Sequence, residues 1–289
     1  MSTQEWTEAD ILAALEFTKI LLYKPYPWQK EFFDMGSKFP KRMIMAANRV
    51  GKTYTAAFEV ACHVTGEYPD WWGGHRFERA IEVWTGSVTN EASRDIVQAN
   101  LIGGLDEKMG TGLIPLENIK DVKTRQAGIS GVADTATIRH KSGGTSTITF
   151  KTYDQGWRKW QGKSLDLCWL DEEPKSTDKN EAMIWTEAQT RVLDKMGHIL
   201  VTFTPLLGKT QLVRDFVEGT PGTWMKNVTW DDAPHLDERT KQDLAAAYPD
   251  YERDARTKGM PMLGSGRVFP FDEKTFRVEP YARSEEHTS

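Results

Sequence analysis

Residues 46–53 carry the first pattern with chemical meaning. They read AANRVGKT and match the phosphate-loop pattern G-x-x-x-x-G-K-[ST], except that Ala46 replaces the first glycine. In such a loop, successive backbone N–H groups leading into a helix cradle phosphates. Lys52 then reaches the β- and γ-phosphates, and the Thr53 hydroxyl ligates Mg²⁺. The predicted contacts to ATP are Ala47, Asn48, Arg49, Val50, Gly51, Lys52 and Thr53.

Two adjacent carboxylates follow a second apolar segment. Residues 165–170 (LDLCWL) read as a buried strand, and Asp171 and Glu172 come directly after it. Ligand sites of open α/β sheets lie at the carboxyl ends of the strands. Asp171 is predicted to hold Mg²⁺ through water, and Glu172 to orient and deprotonate the water that attacks the γ-phosphate. An acidic loop after a core strand is the alternative, but together with the phosphate loop the pair predicts a nucleoside-triphosphate-hydrolysing site.

Three further polar residues stand at element ends near this predicted site. Thr202 and Thr204 lie on the same side of the strand HILVTFTP, and Thr204 could sense the γ-phosphate; plain β-branched strand packing is the alternative. Gln29 begins a short helix just before the first strand, so its amide could read the edge of adenine. It could equally be an ordinary residue at a helix start.

Two arginines are candidates for stabilising the charge of a transferring phosphoryl group. Arg158 lies in the basic, aromatic loop GWRKWQGK, directly before the carboxylate strand. This loop could place an arginine in the ATP site of a neighbouring subunit, contact nucleic-acid phosphates, or simply be solvated with Trp157 and Trp160 in the core. Arg49 could touch the γ-phosphate or brace the loop.

The elements that must position these residues alternate between strand and helix. The predicted strands are 42–46, 80–85, 165–170 and 198–204, with a further short strand, 224–230, in the second subdomain, and the predicted helices are 8–22, 53–64 and 181–193. Two alternating runs, 135–140 and 145–152, flank Ser-Gly-Gly and predict an antiparallel hairpin that decorates the sheet. The order predicts an α/β P-loop fold: a mostly parallel sheet with crossover helices, an inserted hairpin, and a small helical lid or linker subdomain.

Composition restricts the class of protein. With 289 residues, the chain is long enough for one large α/β domain, and its 39% hydrophobic and 27% charged residues are ordinary for a globular protein. Its two cysteines, Cys62 and Cys168, each sit in an apolar run, so no disulfide framework is predicted. No apolar stretch reaches the roughly 18 residues needed to cross a bilayer. We therefore expect an intracellular protein without a membrane partner.

Several motifs together resemble the large terminase subunit of tailed bacteriophages. They are PYPWQKEFF, AANRVGKT, LDLCWLDEEP, VTFTP, DDAPHLDE and GMPMLGSGRVFPF, and they span 26–271. By this resemblance, Gln29 matches the adenine-reading glutamine, residues 46–53 the Walker A loop, and Asp171 with Glu172 the Walker B pair. Residues 202–205, which include Thr202 and Thr204, match the coupling motif.

The resemblance also implies partners, a cellular location and a subunit arrangement. An ATPase of this family uses ATP and Mg²⁺ to drive double-stranded viral DNA into a procapsid. The expected partners are DNA, the portal protein of the procapsid, the small terminase subunit and further copies of this chain in a ring. The expected place is the host cell cytoplasm, with transient docking on the procapsid.

The predicted domain organisation departs from that family in one respect. We assign 1–219 to the ATPase core, 220–268 to the lid or linker subdomain, and 269–282 to the start of a linker to a nuclease domain that we expect to be absent. The tail 283–289 (RSEEHTS) resembles translated adapter sequence, and we expect it to be foreign.

Two other classes of protein share some of these features. A helicase or translocase fragment would also carry the glutamine, the phosphate loop and the acidic strand end, although it normally needs a second similar domain. A capsid or scaffold protein that had lost its activity would require decay of Lys52 or Glu172, and both are present.

Overall fold

An eight-stranded sheet forms the centre of the protein. The computed structural model describes residues 19–261 apart from 107, 126–128 and 175–179. The strands are β1 Lys41–Ala46, β2 Glu82–Ser87, β3 Ile119–Thr124, β4 Ala133–Arg139, β5 Thr145–Thr152, β6 Leu167–Asp171, β7 His198–Phe203 and β8 Thr223–Val228. Their order in the sheet is β3-β4-β5-β2-β6-β7-β1-β8. The pairs from β5 to β8 are all parallel, which confirms the predicted mostly parallel α/β fold.

Helices connect the strands and cover both faces of the sheet. The α-helices are α1 Lys19–Leu22, α2 Pro27–Asp34, α3 Lys52–Thr65, α4 Asn90–Ala92, α5 Ala99–Leu101, α6 Asn180–Leu193, α7 Gln211–Val217, α8 Glu238–Ala247 and α9 Asp250–Lys258. Between α4 and α5, Ser93–Gln98 is π-helical. Within the residues that the structure describes, no helix is long and apolar enough to span a membrane.

The central strands are buried on both faces. On β1, Ile44 belongs to the core on the α3 side, whereas Met43 and Met45 belong to the core that includes residues of α6 and α7. On β6, Trp169 and Leu170 divide in the same way. This burial explains why these strands are nearly continuous apolar runs, as expected for parallel strands between helix layers.

The hairpin is part of the main sheet and does not merely decorate it. Strands β4 and β5 pair antiparallel as predicted, but β5 also pairs in parallel with β2 along its length. Strand β3, which no sequence pattern predicts, then pairs antiparallel with β4. Its residues, IKDVKT, are mostly exposed, because β3 is at the edge of the sheet. An edge strand with only two apolar side chains lacks the alternation that identifies a strand.

Strand β8 belongs to the sheet, so its assignment to the second subdomain was wrong. It pairs in parallel with β1 from the Lys41 and Thr223 pair to the Ala46 and Val228 pair. Most of its side chains are only partly buried, since β8 is the other edge strand, so the sequence predicts the strand but not its place in the sheet. The helical part begins only after this strand. Most of the predicted helix 8–22, and the segments 269–282 and 283–289, lie outside the described residues.

A buried charged network holds α3 against the start of β1. Arg42, Glu59 and His63 are each 0% exposed. The Arg42 guanidinium forms an ion pair with the Glu59 carboxylate and also donates to the carbonyl oxygen of Phe32 at 2.8 Å. Burial by itself raises the pKa of Glu59, but the Arg42 charge and the contact with His63 outweigh it and lower this pKa to about 2. Glu59 is therefore ionised at neutral pH.

We expect Glu59→Gln to destabilise the fold by about 3–5 kcal/mol, because it leaves the Arg42 guanidinium buried without a counter-charge. The free energy of unfolding in urea measures this. Glu31→Gln is the matched control, since Glu31 pairs with Lys226 at 2.6 Å with a 42% exposed side chain; a surface pair of this kind contributes about 0–1 kcal/mol. Equal losses in the two variants would contradict a structural role for the buried pair.

Candidate active site

The phosphate loop connects β1 to α3, as predicted. Gly51 has φ 91°, a left-handed conformation that favours glycine, and helix α3 begins at the next residue. Arg49 also has a positive φ, of 62°. The loop therefore has two left-handed residues within three positions and delivers Lys52 and Thr53 to the first turn of the helix.

Ala46 fits at the first position of the loop because that position is still strand. It is the last residue of β1 and pairs with Val228 of β8. The segment that packs against Ala46 needs a glycine instead: a Cβ atom on Gly259, directly after α9, would lie 2.9 Å from the Cα and carbonyl carbon of Ala46. The glycine that allows two backbone segments to pack closely at this position is thus Gly259 and not residue 46.

The beginning of the predicted phosphate cradle is occupied by protein groups. The amide of Ala47 donates to the carbonyl oxygen of Val228 at 2.8 Å, and that of Asn48 donates to the carbonyl oxygen of Arg256 at 2.8 Å. In this conformation these two amides do not contribute to an anion site. The predicted phosphate cradle is therefore shortened by these two residues. Val50 is fully buried, and the binding role predicted for Arg49 to Thr53 stays a prediction.

Asp171 lies where three elements meet. It ends β6, is 4% exposed, and is the register partner of Thr202 on β7. The Thr53 hydroxyl donates to Asp171 Oδ1 at 2.9 Å, and the Thr202 hydroxyl donates to the same oxygen at 2.8 Å. The indole of Trp169 donates to the Thr202 hydroxyl at 2.9 Å. The structure thus brings together the predicted metal residues Thr53 and Asp171, with Thr202 beside them.

These oxygen atoms suit Mg²⁺, a hard cation that prefers carboxylate, hydroxyl and phosphate oxygens. Burial raises the pKa of Asp171 to about 7 and the negative charge of Glu172 adds to the rise, whereas Lys52 and the two hydroxyls act in the opposite direction. The site therefore disfavours two bare carboxylates side by side. A divalent cation between Thr53 and Asp171 would offset this repulsion, so the residues present fit the cation.

Glu172 faces the phosphate loop in a strained backbone conformation. Its φ is 60°, which costs a non-glycine residue about 1–3 kcal/mol. Its Oε1 atom lies 2.8 Å from Lys52 Nζ, and its side chain is 37% exposed against 12% for Lys52. The positive φ turns Glu172 away from the strand direction, so that Asp171 and Glu172 reach different partners.

Tyr153 contacts the main chain of both Asp171 and Glu172 and was not predicted. It is 3% exposed, and its hydroxyl lies 3.2 Å from the carbonyl oxygen of Asp171 and 3.0 Å from that of Glu172. The hydroxyl can donate to one of these at a time and so holds the turn after β6. A tyrosine following β5 carries no sequence signal for this contact, since it arises from the packing of β5 beside β2 and β6.

Thr204 contacts both the carboxylate and the loop. Its backbone N–H lies 3.3 Å from Glu172 Oε2, and its hydroxyl donates to Asn48 Oδ1 at 2.9 Å. Thr204 thus has polar contacts beyond strand packing. Its predicted role as a sensor of the γ-phosphate stays a prediction.

Gln29 contacts the first turn of α3, directly after the phosphate loop. It is 3% exposed; its Nε2 donates to the Thr55 hydroxyl at 2.8 Å, and its Oε1 accepts from the Tyr26 amide at 2.8 Å. Each end of the amide therefore has a protein partner, as expected for a residue at a helix start. A role in reading adenine stays a prediction.

The two candidate arginines are both exposed and lie on different loops. The guanidinium carbon of Arg158 is 5.2 Å from the centre of the Trp157 ring. Trp160, in the same short helical turn, is fully buried and packs at 5.8 Å against Tyr153. The turn is thus anchored by Trp160, while Arg158 extends to its outer side.

The helical part after β8 contacts the main chain of the phosphate loop. The sequence does not predict which residues make these contacts. The indole of Trp230 donates to the carbonyl oxygen of Asn48 at 2.9 Å, and His235 Nε2 lies 2.9 Å from that of Arg49. His235 also contacts the Tyr26 hydroxyl at 3.0 Å. Both His235 and Trp230 are about 180 residues away from the loop in sequence, so no local pattern indicates these contacts.

Comparisons with known proteins agree with this arrangement. The large terminase subunit of Salmonella phage P22 is 36% identical over 285 residues, covering 90% of this chain and 55% of that protein. The large terminase subunit of Enterobacteria phage LP7 is 39% identical over 101 residues, covering 34% of this chain and 21% of that protein. The chain thus spans about half the length of the P22 relative.

Solved structures show the same fold. The large terminase ATPase domain of Thermus phage P74-26 superposes with a TM-score of 0.60 at 17% identity, covering 88% of this chain and 98% of that one. The large terminase of a thermophilic bacteriophage, solved in complex with ADP, has a TM-score of 0.59 at 15% identity, covering 83% of this chain and 54% of that one.

A family model settles the relationship suggested by the motifs. The model described as terminase large subunit, T4likevirus-type, N-terminal, matches residues 43–276. This range contains the phosphate loop, both carboxylates, strand β7 and the helical part after β8. The chain therefore belongs to the terminase large subunit family and corresponds to its N-terminal region.

Proposed function

We propose that this chain is the ATP-hydrolysing part of a motor that moves double-stranded viral DNA into a procapsid. One observation carries the proposal: Thr53, Asp171, Lys52 and Glu172 meet at the carboxyl edge of the sheet, linked by contacts of 2.9 Å and 2.8 Å. Membership of the terminase family supports this function, as does the ADP complex of a relative with the same fold.

The proposed hydrolysis assigns one task to each residue. Lys52 binds the β- and γ-phosphates, while Thr53 and Asp171 hold Mg²⁺, whose charge offsets that of the phosphates. Glu172 orients the attacking water and takes its proton as the bond to the γ-phosphorus forms. The bond between the γ-phosphorus and the oxygen that bridges it to the β-phosphate breaks, so that ADP leaves and inorganic phosphate forms.

The ion pair between Lys52 and Glu172 gives this mechanism an order of events. The Lys52 ammonium lies 2.8 Å from Oε1 of Glu172, the carboxylate that must accept a proton, and so competes with water for it. A triphosphate, with its larger negative charge, competes for Lys52. When Lys52 turns to the phosphates, Glu172 becomes free to contact water. Binding of substrate would thus activate the base.

The partners of the motor are also proposals. Double-stranded DNA, the portal protein, the small terminase subunit and a ring of identical subunits all fit the terminase family. So does action in the host cell cytoplasm with transient docking on the procapsid. The exposed Arg158 turn fits a ring, because an outward-facing guanidinium is available to an adjacent subunit.

Stimulation by nucleic acid tests the motor function against the helicase alternative. We expect linear double-stranded DNA to raise the turnover of ATP by the purified chain, and to do so more than single-stranded DNA of equal nucleotide concentration. Phosphate release measures both. A preference for single strands would instead support a helicase fragment, and turnover indifferent to DNA would contradict a translocating motor.

Arg158 is proposed to complete the ATP site of the adjacent subunit. Its guanidinium would spread the charge on the transferring phosphoryl group, an effect that elsewhere contributes about 10³–10⁵ in rate. We expect the isolated chain to be a slow ATPase whose turnover per subunit rises with concentration. Arg158→Ala should remove that rise and leave nucleotide binding intact.

Mixing two inactive proteins separates a role in trans from a role within one subunit. In a mixture of Arg158→Ala and Glu172→Gln, some sites combine an intact carboxylate with an intact neighbouring arginine, so activity should return. Lys159→Ala is a control for lost charge in the same exposed turn. No recovery under conditions where wild-type rings form would rule out Arg158 and leave Arg49 as the better candidate.

A further inference from the structure

Asn48 contacts three parts of the protein that are distant in sequence. Its Oδ1 atom accepts from the Thr204 hydroxyl at the end of β7 at 2.9 Å. Its carbonyl oxygen accepts from the Trp230 indole at 2.9 Å, and its amide donates to the carbonyl oxygen of Arg256 at 2.8 Å. A single residue of the phosphate loop thus joins the end of β7 to the helical part after β8.

The contacts continue from Thr204 to the catalytic edge. Thr204 is 4% exposed, and its backbone N–H lies 3.3 Å from Glu172 Oε2. Its hydroxyl has one proton to donate, which in the described conformation goes to Asn48. Any other acceptor near Thr204 must compete with Asn48 for this proton.

On the other side, α8 and α9, which we call the lid, are held to Asn48 and its neighbours. Asn48 Nδ2 lies 3.4 Å from the hydroxyl of Tyr248, whose ring is 6.2 Å from that of Trp230. Gly259, at the end of α9, packs directly on the backbone of Ala46. A change in the position of Asn48 therefore reaches the lid through polar contacts of both its main chain and its side chain.

We propose that Asn48 is a positioning residue that reports occupation of the γ-phosphate site to the lid through Thr204. A γ-phosphate oxygen is a stronger acceptor than a neutral amide oxygen, since it is charged. When Thr204 donates to it, Asn48 Oδ1 loses its donor and the Asn48 side chain is released. The contacts of Asn48 with the lid then change. This proposal rests on the proposed ATPase function.

Amide hydrogen exchange on the full chain tests this proposal, because it reports the loop and the lid separately. The probes are Mg-ATPγS and Mg-ADP at saturation. In the wild type, both probes should slow exchange in 51–65, whereas only Mg-ATPγS should alter exchange in 238–258. In Asn48→Ala, protection of 51–65 should persist while the response of 238–258 to Mg-ATPγS is lost.

A second pair of variants keeps the test independent of Asn48→Ala folding. Thr204→Val removes the hydroxyl and should lose the lid response, whereas Thr204→Ser keeps the hydroxyl and should restore it. Thr137→Val is the matched control: the Thr137 hydroxyl lies on β4, contacts the carbonyl oxygen of Asp121 at 3.3 Å, and should leave both responses as in the wild type.

The outcomes distinguish this proposal from the function on which it rests. A lid response that persists in Asn48→Ala or Thr204→Val overturns the role of Asn48, as does an equal response to Mg-ADP and Mg-ATPγS. A wild-type chain whose loop is protected but whose lid never responds also overturns it. If neither probe protects 51–65 in the wild type, the proposed ATPase function itself fails.

Discussion

Replacing Lys52 with alanine is expected to lower ATP turnover by at least about 10²–10³-fold and to weaken ATP binding, since it removes the charge that faces the β- and γ-phosphates. The structure adds a second consequence. Lys52 is also the ion-pair partner of Glu172 at 2.8 Å, and its charge lowers the pKa of Asp171. The variant should therefore bind Mg-ATPγS more weakly in calorimetry as well as hydrolyse ATP more slowly.

A matched variant separates this effect from the loss of any surface ion pair. Lys226 contacts Glu31 at 2.6 Å and is 30% exposed, so Lys226→Ala also breaks one lysine–glutamate pair. It should retain most turnover and all nucleotide affinity. Near-native turnover in Lys52→Ala would mean that the phosphate loop is not where ATP is hydrolysed.

Glu172→Gln is expected to keep ATP bound while lowering turnover by about 10²–10⁴-fold, because the amide preserves the shape of the side chain but cannot accept a proton. Losing the carboxylate also releases Lys52 from its ion pair. We therefore expect affinity for Mg-ATPγS to be unchanged or higher. Calorimetry and phosphate release on the same preparation measure the two quantities.

Asp171→Asn is the informative comparison, since the two carboxylates are adjacent in sequence but have different partners. Asp171 accepts from the hydroxyls of Thr53 and Thr202, whereas Glu172 contacts Lys52. The Asp171→Asn variant should lose the part of its affinity for ATPγS that depends on Mg²⁺, and it should lose ATP turnover as well. If Glu172→Gln is active while Asp171→Asn stalls only the chemical step, the two assignments are reversed.

The central strands and the phosphate loop could be predicted because their signals are local. Buried parallel strands read as apolar runs, and the loop needs specific residues at Gly51, Lys52 and Thr53. The carboxyl ends of β1, β6 and β7 then meet at one edge by topology. That rule predicted the meeting of Thr53 with Asp171, which the structure bears out at 2.9 Å.

The edges of the sheet and the surroundings of the loop could not be predicted in the same way. Strand β3 lies at the sheet edge and has two apolar residues, so its pattern is weak. The sequence does predict a short strand over β8, but no local pattern indicates that it pairs with β1. The contact of Asn48 with Tyr248 joins residues 200 positions apart, and its identity depends on how the helices pack. No local pattern indicates that the amides of Ala47 and Asn48 donate to protein carbonyl oxygens.

Steady-state phosphate release by the wild-type chain, with Lys52→Ala measured beside it, shows whether ATP is hydrolysed at the phosphate loop. We predict saturable hydrolysis of ATP that requires Mg²⁺ and exceeds that of the variant by at least about 10²-fold. Turnover that is equal in the two proteins, or undetectable in the wild type over a wide range of protein and ATP concentrations with double-stranded DNA present, would contradict the claim that Lys52, Thr53, Asp171 and Glu172 form an ATPase site.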